Sequence, residues 1–119
     1  MRTLRPRLEA GGCLFSHGLP CWDAADPAEY YLGDRPETEA GRAAAFASSP
    51  CRVSFVGHFH RWLLATPEGP RAWGGGEAVV LGPPQRYLVV VAAVCDGWCA
   101  LLDTDTSVLT PLRCCVSTP

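Results

Sequence analysis

The chain contains no lysine, no isoleucine and no asparagine among its 119 residues, and all 10 basic residues are arginine. Without lysine there is neither a P-loop nor Schiff-base chemistry, and any site that requires an asparagine side chain is excluded. The matching richness in Arg, Ala, Gly and Pro points to a coding bias and carries no functional meaning. Long hydrophobic runs are missing too. The longest, Tyr87 to Cys95, has nine residues, against the roughly 20 that a membrane-spanning helix needs. An excess of one charge is also absent. A net charge of -2 argues against a nucleic-acid backbone reader held by bulk electrostatics, while leaving a small phosphorylated substrate open. No apolar stretch follows Met1 to Arg7, so no secretory signal is expected and the expected location is cytoplasmic.

What is present fits one domain over residues 1–119, with 48% hydrophobic residues available for a single core. The seven cysteines (13, 21, 51, 95, 99, 114 and 115) are an odd number with poor zinc spacing. No Cys-x-x-Cys occurs, three residues separate Cys95 from Cys99, and a disulfide between the adjacent Cys114 and Cys115 would be strained. These cysteines read as reduced, mostly buried apolar residues.

Cys13-Leu14-Phe15-Ser16 reads as a buried strand ended by His17-Gly18-Leu19-Pro20. Asp26-Pro27-Ala28-Glu29 is a capping-box start for a short helix closed by Gly33, and a second helix is expected over Pro36 to Ala47. Arg52 to Val56 is a β-branched and aromatic strand leading into Gly57-His58-Phe59-His60. Short strands follow at Trp62 to Thr66, Arg71 to Trp73, Ala78 to Leu81, Tyr87 to Val94, Trp98 to Asp103 and Val108 to Cys115. Asp96-Gly97 between two apolar runs predicts a hairpin. The fold class is therefore α/β (α+β): a strand–helix–strand unit followed by an antiparallel meander.

A strand–helix–strand unit places its two strands parallel, so their C-terminal ends share one rim of the sheet. The three histidines of the chain, His17, His58 and His60, follow those two ends directly. In an extended segment His58 and His60 would project from one face roughly 6.6 Å apart, which suits ligands to two neighbouring ions. Gly18 and Gly57 are expected to let the backbone turn sharply there.

These residues carry a resemblance. Phe15-Ser16-His17-Gly18-Leu19-Pro20 resembles the strand-His-Gly-x-Pro segment of the calcineurin-like metallophosphoesterases, and Val53 to Arg61 resembles their Gly-His-x-His motif. Tyr87 to Val94 and Ala100 to Asp103 are similar to the closing strands of the bacterial single-domain members. The resemblance implies the C-terminal part of a two-sheet αββα sandwich with a phosphodiesterase-type hydrolase site. His17 and His58 would ligate one divalent ion (Mn, Fe or Zn), His60 the other, and Arg61 would touch substrate phosphate.

The chain departs from the family in its first half. The Asp-x-His, the Gly-Asp with its bridging carboxylate and the Gly-Asn-His are all missing ahead of His17. Gly33-Asp34 lies after His17 and reads as a helix boundary. Two divalent ions 3.5 Å apart repel by roughly 19 kcal/mol at an effective dielectric of 20, and neutral imidazoles supply no compensating charge. At most one ion is therefore expected, with little or no activity for the chain alone. Partners implied are a phosphoester substrate and an N-terminal half, on another chain or in a homo-oligomer. Two alternatives remain open. A non-catalytic interaction module would expose an apolar sheet face such as Val89, Val91 and Ala93. A mononuclear zinc protein would join the histidines to Cys13, Cys21 or Cys51. Asp23, Asp26 and Asp34 are acidic loop candidates, and Trp22, Tyr30 and Tyr31 are aromatics for base stacking or for covering a core edge.

Overall fold

Successive side chains of the central strands enter two different buried clusters, and that alternation builds three layers. The structure, a computed structural model, describes residues 7–22, 28 and 33–113. The expected first helix around Asp26 to Glu29, together with Asp23, Tyr30, Tyr31, Cys114 and Cys115, lies outside the described residues apart from Ala28.

The strands are β1 (Arg7–Ala10), β2 (Cys13–Ser16), β3 (Val53–Val56), β4 (Leu63–Thr66), β5 (Gly69–Pro70), β6 (Val79–Val80), β7 (Tyr87–Val90), β8 (Trp98–Asp103) and β9 (Val108–Arg113). Helix α1 (Glu39–Ser48) lies between β2 and β3. Thr38 caps it, its hydroxyl accepting a hydrogen bond from the Gly41 amide at 3.0 Å. The helix therefore starts three residues later than the Pro36 signal implies.

One sheet has six strands in the order β1-β2-β3-β7-β4-β5, and a second has three in the order β6-β9-β8. β2, β3 and β7 run parallel, with Phe15, Phe55 and Val89 in register. All pairings among the later strands are antiparallel, as expected, but β7 returns to insert between β3 and β4. Such an insertion depends on long-range packing, which local patterning does not encode.

Leu88 and Val90 of β7 and Val56 of β3 pack with Ala45 and Phe46 of α1. Val89, Val53 and Phe55 point the other way, against Leu81 and Leu109 of the second-sheet region. A strand buried on both faces must be apolar at every position, and β7 reads Tyr-Leu-Val-Val. The uncovered face anticipated at Val89 and Val91 is therefore covered. Val89 is fully buried and Val91 packs against the same cluster, because the small sheet closes that side. The exposed apolar side chains are instead Leu8 and Phe15 at the β1–β2 edge, Val94, and Val80, Leu101 and Leu112 on the small sheet.

Two further expectations change. Asp96-Gly97 does not make a hairpin between β7 and β8. Val94–Asp96 is a 3-10 turn, closed by Gly97 at φ 84, that carries the chain from one sheet to the other. Arg71 to Trp73 forms no strand, since pairing with β4 stops at Gly69–Pro70. Among the described residues, no helix is long and apolar enough to cross a membrane.

Candidate metal centre

Three parallel strands end at one rim, and the loops that leave them carry the chemistry. His17 follows β2, and His58 and His60 follow β3. Val91 and the turn to Asp96 follow β7. The register continues one residue past the strand ends, where the Val91 amide donates to the Val56 carbonyl at 2.9 Å.

The Gly57 amide donates to both the Ser16 and His17 carbonyls, at 3.3 and 3.0 Å, and this ties the two histidine loops together. The Phe59 amide then reaches back to the Gly57 carbonyl at 2.6 Å. His58 sits between them at φ 60, the pattern of the rare γ-turn whose central residue has positive φ. His60 is left-handed as well, at φ 57.

The expected extended spacing is thus replaced by two strained residues, and strain of this sort gathers at ligand sites. Gly57 itself needs no special conformation, since a Cβ there would meet nothing closer than 3.6 Å. A β-carbon in the left-handed region costs roughly 1–2 kcal/mol. His58→Gly is therefore expected to be about 1 kcal/mol more stable than His58→Ala, as read from paired denaturant melts.

The His17 and His58 rings meet edge to face, with centroids 5.2 Å apart and His58 Nδ1 3.3 Å from His17 Nε2. Two donors on a tetrahedral ion with bonds of about 2.0–2.1 Å stand roughly 3.3–3.4 Å apart. The pair therefore has the separation that one shared ion requires. Trp22 walls this pair on one side. Its ring is buried, lies edge-on to His58 at 5.5 Å and to Phe59 at 5.6 Å, and is anchored by its Nε1 donating to the Asp34 carbonyl at 3.0 Å. Trp22 thus serves as the core edge rather than as an open stacking platform, and Asp34 contributes its backbone.

An open cavity of about 610 Å³ lies over the rim, and His17, His58 and His60 all line it, with Arg7, Leu8, Phe15 and Val94. Among the described residues lining it there is no carboxylate. Among those described residues the one guanidinium is that of Arg7, which donates to the Pro20 carbonyl. Arg61 is placed elsewhere: it pairs with Glu37 and lies over the Phe59 ring at 5.7 Å. Nothing marked Arg7 beforehand, because the sequence around β1 shows no alternation of burial.

His60 has its own neighbours. Its Nδ1 is 3.5 Å from Asp96 Oδ2 and 4.0 Å from Cys95 Sγ. The three donors all lie within 4.8 Å of one another. Cys13 and Cys51 belong to the opposite end of the sheet, where Cys13 opens β2 beside Val53, so neither can reach the histidines. The parallel pairing of β7 with β3 is the signal that brings Cys95 and Asp96 to the rim.

Desolvation first, and then the charges of His58 and His60, hold the His17 imidazolium below the ordinary histidine pKa. The neutral form is thus favoured in the folded state more than in the unfolded one. The unfolded chain binds more protons as pH drops below about 6.5, so His17's contribution is complete above that value and is lost as pH falls through the folded pKa. Thermal melts are expected to show lower stability at pH 5.5 than at pH 7.5, with a smaller difference in His17→Ala.

No family model matches the chain, and no curated protein matches it. Among solved structures, the crystal structure of a metallophosphoesterase from Sphaerobacter thermophilus superposes with a TM-score of 0.72 at 23% identity, covering 94% of this chain and 47% of that one. The chain thus has the fold of part of that metallophosphoesterase, spanning about half its length.

Proposed function

We propose that this chain is the C-terminal portion of a calcineurin-like metallophosphoesterase domain, holding a divalent ion between His17 and His58 and lacking the carboxylates of a paired-metal site. The observation that carries the reading is the 3.3 Å separation of His17 Nε2 and His58 Nδ1 at the mouth of a cavity shared with His60. His17 and His58 would hold the ion, Trp22 fixes the His58 ring, and Arg7, which lines the cavity, would supply a cation for a phosphoryl oxygen. The ion, when bound, would polarise that oxygen and lower the pKa of bound water. Arg61 reaches the substrate only by leaving Glu37. The location we assign is cytoplasmic, in keeping with the free thiols of Cys13, Cys51 and Cys95.

A two-ion mechanism needs negative charge between the ions, and the cavity lining offers none among the described residues. The purified chain is therefore expected to turn over bis(p-nitrophenyl) phosphate no faster than free metal does. Robust Mn-dependent turnover would contradict the reading. Activity restored by adding a segment with the missing Asp-x-His, Gly-Asp and Gly-Asn-His would support it. A second reading, an interaction module, draws on the exposed Val80, Leu101 and Leu112 of the small sheet. Size-exclusion chromatography tests it, because a concentration-independent monomer would leave that face without a self-partner.

A further inference from the structure

His60 Nδ1, Cys95 Sγ and Asp96 Oδ2 bring three different donor types together on the surface, from two loops that meet only because β7 pairs with β3. We propose that these three side chains form a zinc site of their own, filled independently of the His17–His58 pair. It rests on its own geometry and does not require the phosphoesterase reading.

The backbone is shaped for it. The 3-10 turn Val94–Asp96 presents Cys95 and Asp96 in succession, and the Gly97 amide closes that turn on the Val94 carbonyl at 2.9 Å. His60 is set against the turn by its left-handed backbone, at φ 57. On a tetrahedral zinc the nitrogen–oxygen and sulfur–nitrogen separations are roughly 3.4 and 3.6 Å. The observed 3.5 and 4.0 Å lie within a few tenths of an ångström of those values, the sulfur and oxygen, within 4.8 Å of each other, must close by up to about 1 Å, and all three residues are exposed.

Charge separates this site from its neighbour. A thiolate and a carboxylate together cancel the charge of a divalent ion, whereas the His17–His58 pair offers no negative charge at all. The thiolate also selects zinc or cobalt over manganese and magnesium. Binding transfers the Cys95 thiol proton to solvent, involves no change of oxidation state, and leaves a fourth position for water. An Asp96–His60 ion pair alone would give no reason for a thiol beside the same nitrogen.

The test is a Co2+ titration of the full 119-residue chain, followed by displacement with Zn2+. The expected result is a thiolate-to-cobalt charge-transfer band that vanishes in Cys95→Ser and His60→Ala and persists in His17→Ala. Zn2+ affinity is expected to fall about 100-fold or more in Cys95→Ser, which loses the thiolate, and about 10-fold in Asp96→Asn, which keeps a neutral amide oxygen as ligand; loss of an outer partner alone costs roughly 10–100-fold. A band that survives Cys95→Ser overturns the proposal, because another cysteine then holds the ion. Unchanged Zn2+ affinity in both variants overturns it as well. If that outcome comes with weaker binding in His17→Ala, the His17–His58 ion stands and only this second site fails. If the band behaves as expected while His17→Ala changes nothing, the second site stands alone.

Discussion

Replacing His17 or His58 by Ala, in a chain already carrying Cys95→Ser, is expected to reduce Zn2+ binding about 100-fold or more by titration calorimetry. Loss of a supporting partner outside a metal's own ligands costs roughly 10–100-fold, and losing one of two direct protein ligands should exceed that. Either substitution leaves a single imidazole of the pair, 3.3 Å from where its partner nitrogen stood. His60→Ala in the same background is expected to do less, because His60 Nδ1 stands beside Asp96 Oδ2 and Cys95 Sγ, at 3.5 and 4.0 Å. Equal losses from all three substitutions would mean that the histidines share one ion after all.

The second large effect concerns Trp22. It is buried in the cluster formed by Leu19, Phe46, Val56, Leu88 and Val90, and its ring edge supports both His58 and Phe59. Trp22→Ala is expected to cost about 3–5 kcal/mol in denaturant unfolding, the range for deleting a large buried aromatic. Trp22→Phe keeps most of the packing and loses the hydrogen bond to the Asp34 carbonyl, which is worth about 1 kcal/mol.

Gly18 explains why the ring can lie there. A Cβ at residue 18 would stand 2.4 Å from Trp22 Cε3, so Gly18→Ala must push the indole off its seat. Gly18→Ala is therefore expected to weaken zinc binding at His17–His58 as well as stability, although it touches neither ligand nitrogen. A Gly18→Ala chain with unchanged zinc affinity would show that Trp22 does not position His58.

Much of this architecture is legible from residue pattern. Cys13–Ser16 and Trp98–Asp103 form strands at the boundaries their apolar runs imply, and His17 reaches His58 because parallel strands share a rim. What the pattern hides is long-range or too short to be periodic. β1 carries one intermediate and three exposed residues, so no alternation marks it, yet it brings Arg7 to the cavity. β5 is two residues long, shorter than any repeat, whereas β6 falls inside the strand expected over Ala78 to Leu81. Asp96-Gly97 has the composition of a hairpin turn, but β7 and β8 belong to different sheets, so tertiary packing turned it into a crossing. That single change took Cys95 and Asp96 out of a hairpin and set them beside His60. The left-handed φ of His58 and His60 was equally hidden, since histidine's enrichment at positive φ is too slight to place it at a given position.

X-ray absorption at the zinc edge, on Cys95→Ser protein loaded with one equivalent of Zn2+, tests the central claim most directly. Two imidazole nitrogens are expected in the inner coordination sphere at about 2.0–2.1 Å, falling to one when His58→Ala is added. A zinc environment with one imidazole or none in the Cys95→Ser protein, unchanged by His58→Ala, would contradict it.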